Sequence, residues 1–388
     1  NNSGTLPVEQ TDNDDVAALM YTAGTTGPPK GVMHTHYSLY INALFFYEYV
    51  MVHRSLTLQL NTRALNLKTL QLNEVTQRVS GVNRAMISLG VLPLSHSFGI
   101  AFSNTGNFVG GKTILLRWWN IEEALKAIQT FRITQMAAVP TMYIQMLEFP
   151  ELDKYDLSSL EDCQCGAAPL PVEVALKWKE KVGVDIREGW GLTESGATTT
   201  GQPGDLPPRY GSIGKCLLKC NTIKVFDEKG QELPPGQRGE IVIKGPTLMK
   251  GYWNLPEETA KAIRDGWFYT GDLGYVTEDG YFYITGRKKD IIIRGGENVS
   301  PVEVEEVLLK HPAVAEAGVV GIPDAVYGEE VKAFVVIKPD KRVNEEELIA
   351  FCKDRLPTFK SPKKVQFMKS LPRNILGKVL RAELRKLG

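Results

Sequence analysis

Residues 22–31 read TAGTTGPPKG, and no other stretch of the chain limits its fold so tightly. Three glycines (Gly24, Gly27, Gly31), three threonines (Thr22, Thr25, Thr26) and Lys30 fall within ten residues. The apolar run VAALMY at 16–21 precedes them and has the length of a buried strand. A glycine-rich turn leaving a strand lets backbone N–H groups approach an anion closely. Hydroxyls and a lysine add donors and charge, so phosphate is the natural guest. The pattern is not the Walker G-x-x-x-x-G-K-[ST]. It lacks Gly-Lys-Ser/Thr, and Pro28-Pro29 stiffens the loop where that motif would begin its helix. The same composition also suits a surface turn, so the rest of the chain has to decide.

A chain of 388 residues is long for one ordinary domain, and two or more are expected. Lys plus Arg and Asp plus Glu each number 45, so no basic excess points to nucleic acid or to an anionic membrane. The five cysteines (163, 165, 216, 220, 352) include no C-x-x-C pair and lack zinc-ribbon spacing. A reduced, cytoplasmic chain is the expectation. The N-terminal residues are polar and show no signal peptide. The most apolar run, 39–52, is too short to span a bilayer and reads as a buried helix; peripheral membrane contact is left open.

Residues 53–90 contain no proline and no aromatic residue, and they carry no assignable function. Beyond them, GVLPLSHSFGI gives a strand and a turn bearing His96. TILLR at 113–117 reads as a strand, residues 121–131 carry apolar positions at helical spacing, and QMAAV at 135–139 is a second strand. This alternation argues for a layered α/β domain with a largely parallel sheet. From about residue 205 short β-rich runs (223–226, 240–244, 281–284) alternate with turn signals, indicating a small β subdomain ending at the charged junction 286–290. Ser300-Pro301-Val302-Glu303 has the form of a capping box opening a helix over 302–310. Strands at 317–320 and 333–337 and a helix at 345–354 complete an α+β domain.

Several residues could carry chemistry. In EGWGLTE (188–194) the chain turns at Gly189 and Gly191, and Thr193 and Glu194 stand together. A hydroxyl can hold a phosphate oxygen, and a carboxylate can hold Mg²⁺, which takes one or two carboxylates plus phosphate oxygens and waters. A Thr-Glu pair at a turn also suits a helix cap. Asp272, in YTGD, could accept from ribose hydroxyls, or merely cap a turn. Arg287, in GRKKD, offers a fixed donor fork, or belongs to a solvated hinge.

The chain resembles the adenylate-forming superfamily of acyl-CoA synthetases, luciferases and peptide-synthetase adenylation domains. TAGTTGPPKG resembles its phosphate loop, with Ala23 where serine is usual. EGWGLTE resembles the adenine and Mg-ATP loop, Trp190 replacing the usual tyrosine, and Gly166-Ala167-Ala168 resembles the segment on the other side of the adenine. The resemblance implies phosphate contacts from Thr22, Gly24, Thr25, Thr26, Gly27 and Lys30, and nucleotide contacts from Glu188, Gly189, Trp190 and Gly191. PLSHSFG resembles the segment that places a histidine, here His96, beside the acyl pocket; the alternative is a structural His96. Lys289 falls at the pivot, the loop bearing Gly295 and Gly296 at the thiol-cofactor segment, and PRNILGK at the terminal motif whose lysine, Lys378, enters the site in one domain orientation. Relatives carry a substantial region before the phosphate loop, so the expected fold is an incomplete large α/β domain (1–286, with the β subdomain over 205–286) and a mobile C-terminal α+β domain (287–388). The implied activity is acyl-CoA synthesis from ATP, Mg²⁺, coenzyme A and a carboxylic acid, with medium- to long-chain fatty acids as the nearest texture. A carrier-protein-loading enzyme and an inactive nucleotide-binding remnant are the alternatives.

Overall fold

The structure is a computed structural model describing residues 11–22, 29–52, 86–108, 110–216, 220–373 and 377–388; side chains of 45–52 and 108 lie outside the described set. Most of the stretch singled out at 53–90, namely 53–85, therefore lies outside it as well, and Ile87–Gly90 is a strand.

Five short strands form a parallel sheet in the spatial order Lys112–Leu115, Ile87–Gly90, Gln135–Ala138, Asp162–Cys165, Ile186–Glu188. Helices Ser97–Phe108, Ile121–Phe131, Pro140–Leu147 and Val172–Val182 occupy the connections, as the strand–helix alternation predicts. Chain order reverses at Ile87–Gly90, whose sequence successor lies on one side and Gln135–Ala138 on the other. Such a reversal opens a crevice at the carboxyl ends of the strands. Those ends lead into His96, Gly166 and Gly189.

Local chemistry sets the helix bounds. Asn120 accepts from the amide of Glu123 at 2.9 Å, an N-cap worth about 1 kcal/mol. Ala124, Leu125, Ala127 and Ile128 turn inward from Ile121–Phe131, and Arg132 ends the helix in the left-handed region at φ 50°. On the same core Tyr143 meets Trp178 edge to face at 5.0 Å. The Tyr143 hydroxyl donates to the carbonyl of Gln164 at 2.8 Å, so the phenol is buried with its polar end satisfied.

Val16–Thr22, Lys30–Thr35 and Gly251–Tyr252 form an antiparallel sheet. The first strand exists where expected, but it is not buried. It is the outer strand of its sheet, and Val16, Leu19 and Tyr21 are exposed while Met20 alone faces inward. Helix His36–Val52 follows, with Ile41, Asn42, Ala43 and Leu44 buried.

Thr222–Phe226, Gly239–Lys244, Ile263–Arg264, Trp267–Val276 and Phe282–Arg287 form a second antiparallel sheet. Its core of Val225, Ile241, Ile243, Phe268 and Phe282 is continuous with Val32 and Trp190. Beyond it, the hairpin Val314–Asp324/Gly328–Ile337 is longer than the runs read from sequence. It is joined by Ile292–Arg294, Glu297–Val299 and the parallel strand Lys364–Phe367. Helices Pro301–Leu309 and Glu345–Lys353 bury Val304, Leu308, Leu348 and Cys352 in the same core.

The capping box expected at Ser300 does not form. Ser300 is the N-cap residue, but its hydroxyl donates to the carbonyl of Thr285, and Glu303 binds Lys360 at 2.7 Å. Partners brought close by tertiary structure outcompete the local motif. Among the described residues no helix is long and apolar enough to cross a membrane.

Candidate active site

A cavity of about 1620 Å³ opens at the carboxyl ends of the parallel strands. Its wall includes Thr22 and Lys30, His96, Gly166 and Ala167, the turn Glu188 to Gly191, Thr193, Glu194, Arg287, Lys289 and Lys378. Residues separated by more than 300 positions in sequence are thus brought to one site. Gly24, Thr25, Thr26 and Gly27 lie outside the described residues. Ala168 does not reach the wall, and neither do Gly295 and Gly296, which turn the chain between two C-terminal strands at φ 57° and 87°.

The turn 188–191 needs its glycines because the chain doubles back on residues 197–200. A Cβ on Gly191 would lie 1.4 Å from the carbonyl oxygen of Ala197. Glu188 accepts from the Leu170 amide at 3.1 Å, and burial pushes its carboxyl up to a pKa of about 8. Trp190 does more than offer a ring face: its Nε1 donates to Asp272 at 2.9 Å. Asp272 is 2% exposed and lies behind the wall, and its other oxygen receives Arg287 Nε at 2.6 Å. The two residues assigned to a ribose therefore bind each other, and Asp272 fixes Trp190 and Arg287.

Thr193–Ser195 forms one turn of 3₁₀ helix, held from three directions. The buried His34 places Nε2 2.6 Å from the Thr193 carbonyl, the Met249 amide donates to the Glu194 carbonyl at 2.8 Å, and the Tyr252 hydroxyl donates to Glu194 Oε1 at 2.9 Å. Lys30 lies over the Tyr252 ring at 4.9 Å and binds Glu258 at 2.7 Å. Sequence reasoning missed His34, Tyr252 and Glu258. The only signal for His34 was a polar residue at an inward position of the strand following the phosphate loop.

His96 accepts from the Phe98 amide at 3.2 Å, a partner two residues on. Burial lowers its pKa, and the nearby positive charge of Lys378 lowers it further, so the imidazole is neutral. Burial, then Arg287, brings Lys378 down to a pKa of about 8. Burial and Arg287 also lower Lys289, against the pull of Asp290, Asp272 and Glu194. Three cations thus converge on one cavity wall, an arrangement that favours an incoming polyanion.

A crevice of this kind, lined by cations from both ends of the chain, suits a nucleotide, and the chain's class follows from its relatives: adenylate-forming enzymes. The chain belongs to that class: a family model described as AMP-binding enzyme matches residues 2–253, and the AMP-binding enzyme C-terminal domain matches 303–378. It is 42% identical over 376 residues to a long-chain-fatty-acid–CoA ligase of Bacillus subtilis (strain 168), covering 95% of this chain and 61% of that protein. It is 36% identical over 375 residues to a feruloyl-CoA synthase of Amycolatopsis sp, covering 96% and 70%. ATP-bound MatB from Rhodopseudomonas palustris matches with a TM-score of 0.86 at 34% identity, over 99% of this chain and 70% of that one. The apo structure of the same protein matches over the same shares and at the same identity with a TM-score of 0.73.

Proposed function

We propose that the chain supplies the catalytic part of an AMP-forming acid–thiol ligase. A carboxylate oxygen attacks the α-phosphorus of ATP, forming acyl-AMP and releasing pyrophosphate. The thiol of coenzyme A then attacks the acyl carbon and expels AMP. A carboxylate is a poor electrophile, and adenylation gives it a good leaving group. The protein's part is to hold the reactants in line and stabilise developing charge.

One observation carries the reading: Lys378 lines the same cavity as His96 and Glu194, whereas Gly295 and Gly296 do not. In this orientation the Lys378 ammonium bridges the substrate carboxylate and the α-phosphate, offsetting repulsion between two anions. The higher score against the ATP-bound than the apo form of MatB, at equal identity, supports this as the adenylating arrangement. Thr22, the loop 24–27, Lys30 and Thr193 hold the phosphates. Trp190 and the Gly166–Ala168 segment flank the adenine, and Arg287, fixed by Asp272, reaches the ribose. The oxygen donors suit a hard cation. Among the described residues no cluster of three or more His, Cys, Asp or Glu could hold a metal. Glu194, on the cavity wall, would give Mg²⁺ one carboxylate, the nucleotide's oxygens completing its shell, and the ion would neutralise phosphate charge.

The two domains, 1–286 and 287–388, turn about Lys289. That rotation withdraws Lys378 and brings Gly295-Gly296 to the site, where glycine backbone passes close to a pantetheine arm. Leu94, Phe98 and Ile100 line the cavity beside His96, so an apolar acyl group, a medium- to long-chain fatty acid, is the proposed substrate. A cytoplasmic setting belongs to the same proposal. Pyrophosphate exchange across a panel of aliphatic, aromatic and dicarboxylic acids, with free coenzyme A as acceptor in a second assay, tests it. Exchange with fatty acids followed by thioester formation is expected. Exchange without transfer to free coenzyme A would favour a carrier-protein acceptor, and no exchange with any acid would overturn the activity.

A further inference from the structure

Building on that reading, we propose that His34 is the positioning residue that sets the Thr193–Glu194 turn in register with the strand bearing Lys30. His34 lies on strand Lys30–Thr35, four residues beyond Lys30, and is fully buried. Its Nε2 stands 2.6 Å from the Thr193 carbonyl. A carbonyl oxygen only accepts, so Nε2 carries the proton. Nδ1 faces the Ser38 hydroxyl at 3.2 Å, one turn into the following helix, which fixes the ring's orientation from behind. One imidazole thus joins the strand bearing Lys30 to the turn that carries the Thr193 hydroxyl and the Glu194 carboxylate, all on one cavity wall.

Among the described residues, no backbone hydrogen bond joins Lys30–Thr35 directly to Thr193–Ser195. Lys30–Thr35 pairs with Val16–Thr22 and with Gly251–Tyr252, and Thr193–Ser195 belongs to neither. Of the other ties to the turn, Met249 and Tyr252 grip Glu194 and come from the chain segment entering or forming Gly251–Tyr252, the Thr199 hydroxyl donates to Ser195 Oγ at 2.8 Å, and the Gly196 amide donates to the Thr193 carbonyl at 3.2 Å from within the turn itself. Among the described residues, His34 is the side chain that grips the Thr193 carbonyl from outside the turn. Its removal leaves the turn in place but lets the Thr193 carbonyl, and with it the hydroxyl, drift from the phosphates. Parts of a triphosphate site must be held in mutual register to act together. AMP, which lacks the β- and γ-phosphates, is indifferent to that register.

The experiment compares His34→Asn, His34→Gln and Ser38→Ala with the parent chain. Binding of Mg·ATP and of AMP is measured by calorimetry, alongside thermal melting. An asparagine amide is too short to reach Thr193, whereas a glutamine amide nitrogen can stand near the position of Nε2. His34→Asn is expected to weaken Mg·ATP binding about tenfold, the loss of one buried hydrogen bond, with AMP binding within about twofold. His34→Gln should restore most of the difference, and Ser38→Ala should shift Mg·ATP binding in the same direction by less. Equal losses for Mg·ATP and AMP, or no rescue by His34→Gln in a folded protein, would overturn the assignment. If His34→Asn does not fold, an unchanged ratio of Mg·ATP to AMP affinity in Ser38→Ala overturns it. Failure of the parent chain to bind Mg·ATP at all would overturn the proposed function itself, and this assignment with it.

Discussion

Lys378 carries a positive charge that its surroundings resist. Burial and Arg287 lower its pKa to about 8 against the opposing pull of Asp272, and an anion delivered to the cavity would stabilise the charged form further. Lys378→Ala should therefore depress acyl-AMP formation by several orders of magnitude while supplied acyl-AMP and coenzyme A still react at a near-normal rate; half-reactions assayed separately decide it. In the parent chain, kcat/KM for adenylation should fall as pH rises past about 8, since that parameter reports the free enzyme. Glu188 bears on stability rather than on rate. Its folded pKa is raised from 4.5 to about 8, so the folded state binds more protons across that interval. The stability it contributes is complete below 4.5 and is lost as pH rises through about 8. Glu188→Gln keeps an oxygen for the Leu170 amide and removes the titration. Melting temperature followed against pH should decline less steeply for the variant over that window, and parallel curves would show that Glu188 is ionised in the folded chain.

At the scale of elements, the turn 188–194 owes its shape to backbone close enough to exclude a methyl group. Gly191→Ala would bring a Cβ within 1.4 Å of the Ala197 oxygen, so the chain must separate there. A loss of about 1–3 kcal/mol or more is expected, with adenylation falling further than stability, because Thr193 and Glu194 move with the turn. Denaturant titration and pyrophosphate exchange on one preparation check it. Elements whose signal is local were legible in the sequence. Ile121–Phe131 was readable because its apolar face repeats at helical spacing, and the parallel sheet followed from the alternation of such segments. What failed depended on partners far along the chain. Val16–Thr22 reads as buried until its outer position in the sheet is known, and Ser300 reads as a capping box until Thr285 is beside it. The site divides in the same way. Thr193, Glu194, Arg287 and Lys378 stood out through their motifs. His34 and Tyr252 act through contacts spanning 159 and 58 positions, and no local pattern announces those.

The whole molecule is the scale at which the proposed reactions would share one cavity, and the contact between its halves tests that proposal away from the chemistry. Helix Pro140–Leu147 of the parallel-sheet layer approaches the segment carrying Lys378 so closely that a Cβ on Gly377 would lie 2.8 Å from Thr141 Oγ1. Thr141 is not on the cavity wall, so its side chain matters only through how the two halves meet. Gly377 precedes Lys378 directly, and any displacement at this contact moves the ammonium. A misplacement of about 1 Å can cost a hundredfold in rate. Thr141→Arg puts a long, strongly solvated side chain where only a glycine fits. It should slow acyl-AMP formation by about a hundredfold, yet spare conversion of supplied acyl-AMP to thioester, because that step uses the orientation in which Gly377 has left Thr141. Thr141→Ser, which adds no bulk, should behave as the parent chain. If Thr141→Arg slows both half-reactions equally while melting normally, the two steps share one arrangement of the halves and no rotation about Lys289 is needed. If it slows the first alone, the contact seen here belongs to adenylation and is broken before the thiol attacks.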